Sequence, residues 1–319
     1  MINSWKKVSR AAILAAAGLA LATGTAVAED FPSKEVKIIS PFGAGGLNDI
    51  LGRAIAQHSE KFLGQPIVVE NKPGAGGVVG TKYVERAKPE GYVLLMASSS
   101  TIFSQYTSPA PNDIKKLGPV VEICIAPQVL VASADSQWKD LKSFLADAKA
   151  TPGKVTVSNS GAGGSTDLYT TLLEEKAGIK VKRIPYAGYA AAMTAVLGGH
   201  VDATIVPPGV AKQYVASGKA QVLGVATEKR FSGFPDAPTF KEQGVDLVIN
   251  HWVGLMGPAD TPQERVDILA KALEQGMKTP EFQKLLQQRG LEASILTGDA
   301  FQKYVDEEDA RWRKILKGE

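Results

Sequence analysis

Three times in this chain a short apolar run ends in the tetrapeptide Gly-Ala-Gly-Gly and gives way to a segment with helical spacing. The copies lie in SPFGAGGLND (43–46), NKPGAGGVVG (74–77) and NSGAGGSTD (161–164). A strand, glycine-rich turn and helix repeated in this way confine the chain to α/β architecture. Buried strands alternating with helices predict parallel sheets covered on both faces. VKIIS (36–40), PIVVE (66–70) and YVLLMA (92–97) read as buried strands, with helices over 48–63 and near 78–87. A second block repeats the pattern: helix 138–150, strand 154–158, helix 165–177, strand VKRIPY, helix near 190–197, strand 201–206, helix near 210–217 and strand QVLGVAT. After HWVGLMGP the pattern is nearly all helix, over 262–277, 280–289 and 299–317.

With 319 residues the chain exceeds one ordinary core and suits two α/β domains. The expected division is a first lobe of 29–124 plus 254–319 and a second of 125–253, crossing near 120–132 and 252–257. Two lobes leave a cleft, the usual place for a small ligand.

Residues 1–28 read as a secretory signal peptide: Lys6, Lys7 and Arg10 precede AAILAAAGLALATGTAVA, and Ala26-Val27-Ala28 is a cleavage motif. Removing those three cations from the 36 basic residues leaves 33, equal to the 33 acids. The mature chain is thus near neutral, which argues against nucleic acid as a partner. No other stretch is apolar and long enough to span a bilayer. Cys124 has no partner for a disulfide and is too far from the signal segment to be a lipidated terminal cysteine. The expected product is a soluble periplasmic protein held by its core.

None of the glycine loops is a nucleotide cradle. The third glycine of a dinucleotide fingerprint is replaced by Asn48, Val79 and Thr166, and no copy continues as Gly-Lys-Ser/Thr. The two readings left are tight turns and ligand loops. Glycine serves a turn through its tolerance of positive φ. At strand-to-helix junctions it also exposes backbone amides beside a helix N-terminus, which favours anions. Hydrogen bonds to a charged group contribute about 1.5–3 kcal/mol each. Four or five approach the roughly −8 kcal/mol of micromolar affinity, less the cost of association. Asp49 and Asp167 each stand three residues beyond a tetrapeptide, in the first helical turn.

Catalytic constellations are scarce. His58, His200 and His251 share no metal-ligand spacing, and Gly-x-Ser-x-Gly is absent. Ser98, Ser99, Ser100 and Thr101 follow a strand without a base, so they read as hydroxyl donors to a ligand, with a plain polar loop as the alternative. The chain is expected to be a binder, with no cofactor and no metal.

The serial order of FPSKEVKIISPFGAGGLND, LGQPIVVENKPGAGGVVG, KPEGYVLLMASSST, the SNSGAGGS loop, IPYAG and LGGHVDA resembles the extracytoplasmic solute receptors of tripartite tricarboxylate transporters, the Bug receptors. The resemblance covers the whole mature chain. It implies a two-domain, type II-like periplasmic-binding-protein fold, rich in parallel sheet, closing on a small carboxylate held largely by backbone groups and waters. Carried over by position, Phe42, Gly43, Ala44, Gly45, Gly46, Ala75 and Gly76 come from the first lobe, with Ser98, Ser99 and Thr101 beside them. Ser160, Gly161, Ala162, Gly163, Ser165, Thr166 and Asp167 come from the second, with Tyr186 and Ala187. The resemblance further implies a monomeric receptor serving one large and one small integral membrane subunit.

Many Bug receptors carry histidine at the position of Asp167, and Asp-Asn at that of Val206-Pro207. WKDLKSFL after ASADSQ, with KEQGVDLV, is closer to the citrate-type branch. An acid near a carboxylate repels it unless a hydroxyl, water, cation or proton intervenes. Lys182 and Arg183 are expected on the solvated surface. The competing functions are a sensor presenting the closed receptor to a membrane kinase, and a secreted hydrolase using the 98–101 cluster.

Overall fold

The computed structural model describes residues 30–161 and 165–317; the expected signal peptide lies outside the described residues. Lys34–Glu319 form one compact unit, and residues 30–33 of the other unit hold no helix or strand. The chain begins with β1 (Val36–Ser40), α1 (Leu47–Leu63), β2 (Ile67–Asn71), α2 (Val78–Glu85), β3 (Val93–Ser98), α3 (Ser99–Thr107) and β4 (Leu117–Pro127). It continues with β5 (Val129–Ser133), α4 (Leu141–Ala150), β6 (Thr156–Asn159), α5 (Ser165–Ala177), β7 (Lys182–Pro185), α6 (Tyr189–Leu197), β8 (Ala203–Val206), α7 (Pro208–Ala216) and β9 (Ala220–Val225). Finally come β10 (Asn250–Pro258), α8 (Gln263–Met277), α9 (Pro280–Gln288), β11 (Glu292–Ala293) and α10 (Gly298–Lys317).

Two sheets result. The first has the order β11-β4-β10-β3-β1-β2 and the second β7-β6-β8-β5-β9. The glycine-turn units supply parallel pairing: β1 with β2 and β3, β6 with β7 and β8. The expectation of parallel sheets holds only for these. β10 runs antiparallel to β3 and β4, and β5 antiparallel to β8 and β9, so both sheets are mixed. The cause is the passage between sheets. β4 leads into β5 through Gln128 alone, and the returning β10 lies beside β4 with Asn250 opposite Pro127.

Strands that looked continuously apolar are sealed on both faces: Ile38, Ile39, Leu94, Leu95, Val131 and Ile205 are buried. The C-terminal helix returns to the first sheet but also reaches the second. Trp312 of α10 packs edge-on against Phe103 of α3 with centroids 4.5 Å apart, and lies 6.0 Å from Tyr169 of α5. Cys124 is buried, and burial pushes its thiol pKa well up. Among the described residues no helix is long and apolar enough to cross a membrane.

Candidate functional site

The first glycine loop lies between β1 and α1. Gly43, Ala44 and Gly45 are exposed, Phe42 and Gly46 half-buried, and no side chain caps α1 at Gly46. Its first turn is organised by Asp49, whose Oδ2 accepts the Gly45 N–H at 2.9 Å. Asp49 Oδ1 accepts the Asn71 side-chain amide at 2.9 Å and faces Arg53 Nη2 at 2.9 Å. The Asn71 amide also donates to the Phe42 carbonyl at 3.1 Å. Burial alone pushes the Asp49 carboxyl up, but the bonds from Gly45, Arg53 and Asn71 outweigh it and hold its pKa below the ordinary aspartate value.

The second glycine loop packs against the first. Four consecutive residues, Gly74, Ala75, Gly76 and Gly77, have positive φ, and Ala75 at +48° is the one non-glycine residue so placed among those described. A Cβ on Gly77 would stand 3.2 Å from the Phe42 ring. Phe42 is thereby wedged beside Ala75 and Gly76.

Ser98, Ser99 and Thr101, expected in a loop as hydroxyl donors to a ligand, instead end β3 and open α3, and all three are buried. Thr101 Oγ1 accepts the Ser98 N–H at 3.1 Å, and Ser99 Oγ accepts the Trp252 N–H at 3.1 Å. Their hydroxyls hold the helix start and tie α3 to β10. The same helix presents other residues, Ser100, Phe103, Ser104 and Thr107, to a hollow below.

In the second sheet, Ser160 and Gly161 leave β6. Ser160 N–H donates to Thr166 Oγ1 at 2.9 Å, and Gly161 N–H donates to Asn159 Oδ1 at 3.0 Å. Ala162 and Gly163 lie outside the described residues. Asp167 Oδ1 accepts the Asn159 side-chain amide at 3.0 Å and faces Arg183 Nη1 at 3.3 Å. Arg183 also donates to Thr171 Oγ1 at 2.7 Å, so it is pinned along α5, and both it and Lys182 are exposed, as expected. Tyr186 N–H donates to the Asn159 carbonyl at 3.0 Å, and its ring packs against the cluster of Ala195, Val196 and Val201. Ala187 is exposed.

Residues from both halves meet at a hollow of about 400 Å³. Phe42, Ala75 and Gly76 line one side, Ser165 of α5 another, and Ser100, Phe103, Ser104, Thr107, Ser108 and Pro109 the rest. No ionisable side chain is among them. Of the residues expected from sequence, Phe42, Ala75, Gly76 and Ser165 share this hollow, whereas Ser98, Ser99, Thr101, Thr166, Asp167, Tyr186 and Ala187 stand outside its lining. The α3 residues were hidden by reading that stretch as a loop; the spacing of Ser100, Phe103, Ser104 and Thr107 at i, i+3, i+4 and i+7 is the signal that marks them. Behind the hollow, Phe103 lies 6.1 Å from Tyr169, whose hydroxyl meets His251 Nδ1 at 3.3 Å. Burial lowers the His251 pKa to about 4, so the ring is neutral. Among the described residues no three His, Cys, Asp or Glu side chains gather as metal ligands.

Two mixed α/β sheets, with a hollow bordered by one glycine loop and by hydroxyls, place the molecule in the periplasmic-binding-protein class of solute receptors. The chain belongs to the tripartite tricarboxylate transporter receptor family, whose model, for a tripartite tricarboxylate transporter family receptor, matches residues 51–319. A Cupriavidus necator UPF0065 protein is 33% identical over 308 residues, 96% of this chain and 94% of that protein. Protein BugT of Bordetella pertussis is 30% identical over 314 residues, 96% of each. Among solved structures, a TctC solute-binding protein from Polaromonas without ligand has a TM-score of 0.83 at 32% identity, over 91% of this chain and all of that one. MatC from Rhodopseudomonas palustris, solved with bound malate, has a TM-score of 0.71 at 26% identity, over 90% of this chain and all of that one. An R. palustris protein solved with adipate has a TM-score of 0.74 at 25% identity, over 90% of this chain and 98% of that one.

Proposed function

We propose that this chain is a periplasmic receptor that captures a small di- or tricarboxylate between the loops of its two sheets. It then delivers the ligand to the large and small integral membrane subunits of a tripartite transporter. The observation that carries this reading is the hollow itself: 400 Å³ in volume, bordered by the exposed loop at Ala75-Gly76 and by five hydroxyl-bearing residues, with no cation. An anion held there is solvated by N–H and O–H dipoles, the substitute for water that a preorganised polar site provides. The volume falls within the range of small-molecule pockets. Malate in MatC and adipate in the second R. palustris protein are dicarboxylates, which supports the same ligand class for this chain. The full set of ligand contacts extends to the loops at 43–46 and 160–163 and to Asp167, with lobe boundaries near 124–125 and 253–254.

A thermal-shift panel of di- and tricarboxylates tests the ligand class. At about 100 times its dissociation constant a ligand adds roughly 2.7 kcal/mol, which raises the Tm of a chain this size by about 4–5 °C. A neutral sugar or amino acid that shifts Tm while every acid fails overturns the reading. Uptake of the same acid, abolished in cells lacking either this chain or the membrane subunits, tests delivery.

A further inference from the structure

Five hydroxyl-bearing residues line the hollow, but not all of them have a hydrogen to offer a ligand. Ser104 has its own engaged. Asn112 Nδ2 donates to the Thr101 carbonyl at 2.8 Å, which leaves Asn112 Oδ1 as the atom facing Ser104, and Ser104 Oγ donates to it at 2.6 Å. The Thr101 carbonyl, 3.2 Å from the same Oγ, is a second acceptor for that one hydrogen. Thr107 Oγ1 donates back along its helix, to the Phe103 carbonyl at 3.0 Å. Among the described residues neither oxygen receives a hydrogen bond, so each brings lone pairs to the hollow and no hydrogen. The rest of the polar lining can donate. Ser100 Oγ has no partner among the described residues, and the Ala75 and Gly76 N–H groups donate to none of them. Ser108 Oγ accepts the Ala110 N–H at 3.3 Å and keeps its hydrogen, while Ser165 Oγ stands 3.4 Å from the Tyr189 hydroxyl, where either can donate.

The lining is thus divided into donors at Ser100 and the Ala75-Gly76 loop, and acceptors at Ser104 and Thr107. A ligand whose polar atoms are all carboxylate oxygens matches only the donors. Against Ser104, which is buried, it sets lone pairs against lone pairs and leaves an acceptor without a hydrogen once water is displaced. The ligand therefore needs a donor of its own. An ammonium group would supply one, but no ionisable side chain lines the hollow to pair with its charge. A hydroxyl needs no such partner. We propose that the hollow selects a hydroxycarboxylate: carboxylate oxygens take the hydrogens of Ser100 and the Ala75-Gly76 loop, and the ligand's hydroxyl donates to Ser104, with Thr107 as a second acceptor. The proposal rests on the carboxylate reading above and narrows it.

The test is a set of calorimetric titrations with acids that differ at one carbon. The first series is malate, as both enantiomers, against succinate and methylsuccinate, the last carrying a methyl group where malate has its hydroxyl. The second is citrate against tricarballylate, which lacks only the hydroxyl. In whichever series binds, the hydroxylated acid is expected to bind about tenfold tighter than its partners, the effect of one added hydrogen bond to a buried acceptor. Ser104→Ala is expected to remove that preference by weakening the hydroxylated acid about tenfold and leaving the hydroxyl-free acid unchanged. A purely structural role for Ser104 would weaken both acids alike, and that result overturns the proposal. If Ser104→Ala does not fold, Ser104→Cys gives the same comparison, because sulfur is a weak acceptor. A hydroxyl-free acid that binds the wild type as tightly as its hydroxylated partner overturns the proposal and leaves the carboxylate reading intact. Aspartate binding tighter than malate overturns it as well, since the hollow would then favour a charged donor. Wild-type protein that binds none of these acids, nor any in the panel above, defeats the carboxylate reading, and this proposal with it.

Discussion

Gly80 is where the first two loops press closest. A Cβ there would stand 2.8 Å from Pro41 Cα and 2.9 Å from the Lys72 carbonyl, both backbone atoms that cannot swing aside. Gly80→Ala is therefore expected to lose about 1–3 kcal/mol of stability by overpacking, read as a lower urea midpoint at unchanged slope. At this scale the sequence was legible where one residue type has one use. The glycine tetrapeptides announce turns that need positive φ, found at Gly45, Gly74, Gly76, Gly77 and Gly161, and the matched places of Asp49 and Asp167 announce the first turn of a helix. Arg183 was not legible. Its partners Asp167 and Thr171 lie on the preceding helix, and only the packing of β7 beside α5 brings the three together.

Helix α3 is the helix that sequence reading missed. SSSTIFSQYT follows β3 with no glycine or proline between, and its serines and threonines compete with the helix for backbone hydrogen bonds. What rescues the helix is tertiary. Asn112 donates to the Thr101 carbonyl at 2.8 Å and accepts from Ser104 Oγ at 2.6 Å, while Gln105 and Tyr106 bind Asp309 of α10. Asn112→Ala removes two buried hydrogen bonds, leaving only the one from Ser104 Oγ to the Thr101 carbonyl at 3.2 Å, and is expected to cost about 1–3 kcal/mol. Ser104 lines the hollow, so the same variant should weaken carboxylate binding in calorimetry; unchanged affinity would separate α3 from the ligand. Strand direction was illegible for a related reason. Long apolar runs such as β4 and β10 look alike whichever way they pair, and only the course of the chain between sheets makes them antiparallel.

Across the whole molecule two buried groups set opposing responses to pH. Glu122 of β4 is buried, with Ser294 Oγ the one donor to it among the described residues, and burial raises its pKa to about 7 from 4.5. The folded state then holds a proton that the unfolded chain releases, so this contribution is full below about pH 4.5 and is lost as pH rises through 7. His251, lowered to about 4 from 6.5, does the reverse: its contribution is full above pH 6.5 and is lost as pH falls through 4. Between pH 4.5 and 6.5 the two contributions slope in opposite directions. Relative to the wild type, Glu122→Gln should therefore shift the slope of stability with pH upward and His251→Gln should shift it downward, each by about 1.4 kcal/mol per pH unit at most. Urea titrations across that window check both, and curves parallel to the wild type would refute them. The two-sheet plan itself was legible, because the repeated βα pattern breaks off and resumes. The single-residue passage at Gln128 was not, since one apolar run flows into the next.

That passage has a consequence for engineering and for descent. Pro127 and Asn250 are partners in one ladder, so the chain departs to build the second sheet and comes home at the same place. Residues 128–249 form a cassette whose two ends are already aligned. Such a cassette can be exchanged between relatives by one recombination event at each end without changing the register of the host sheet. Receptors with new combinations of half-sites can arise that way, with no new fold required.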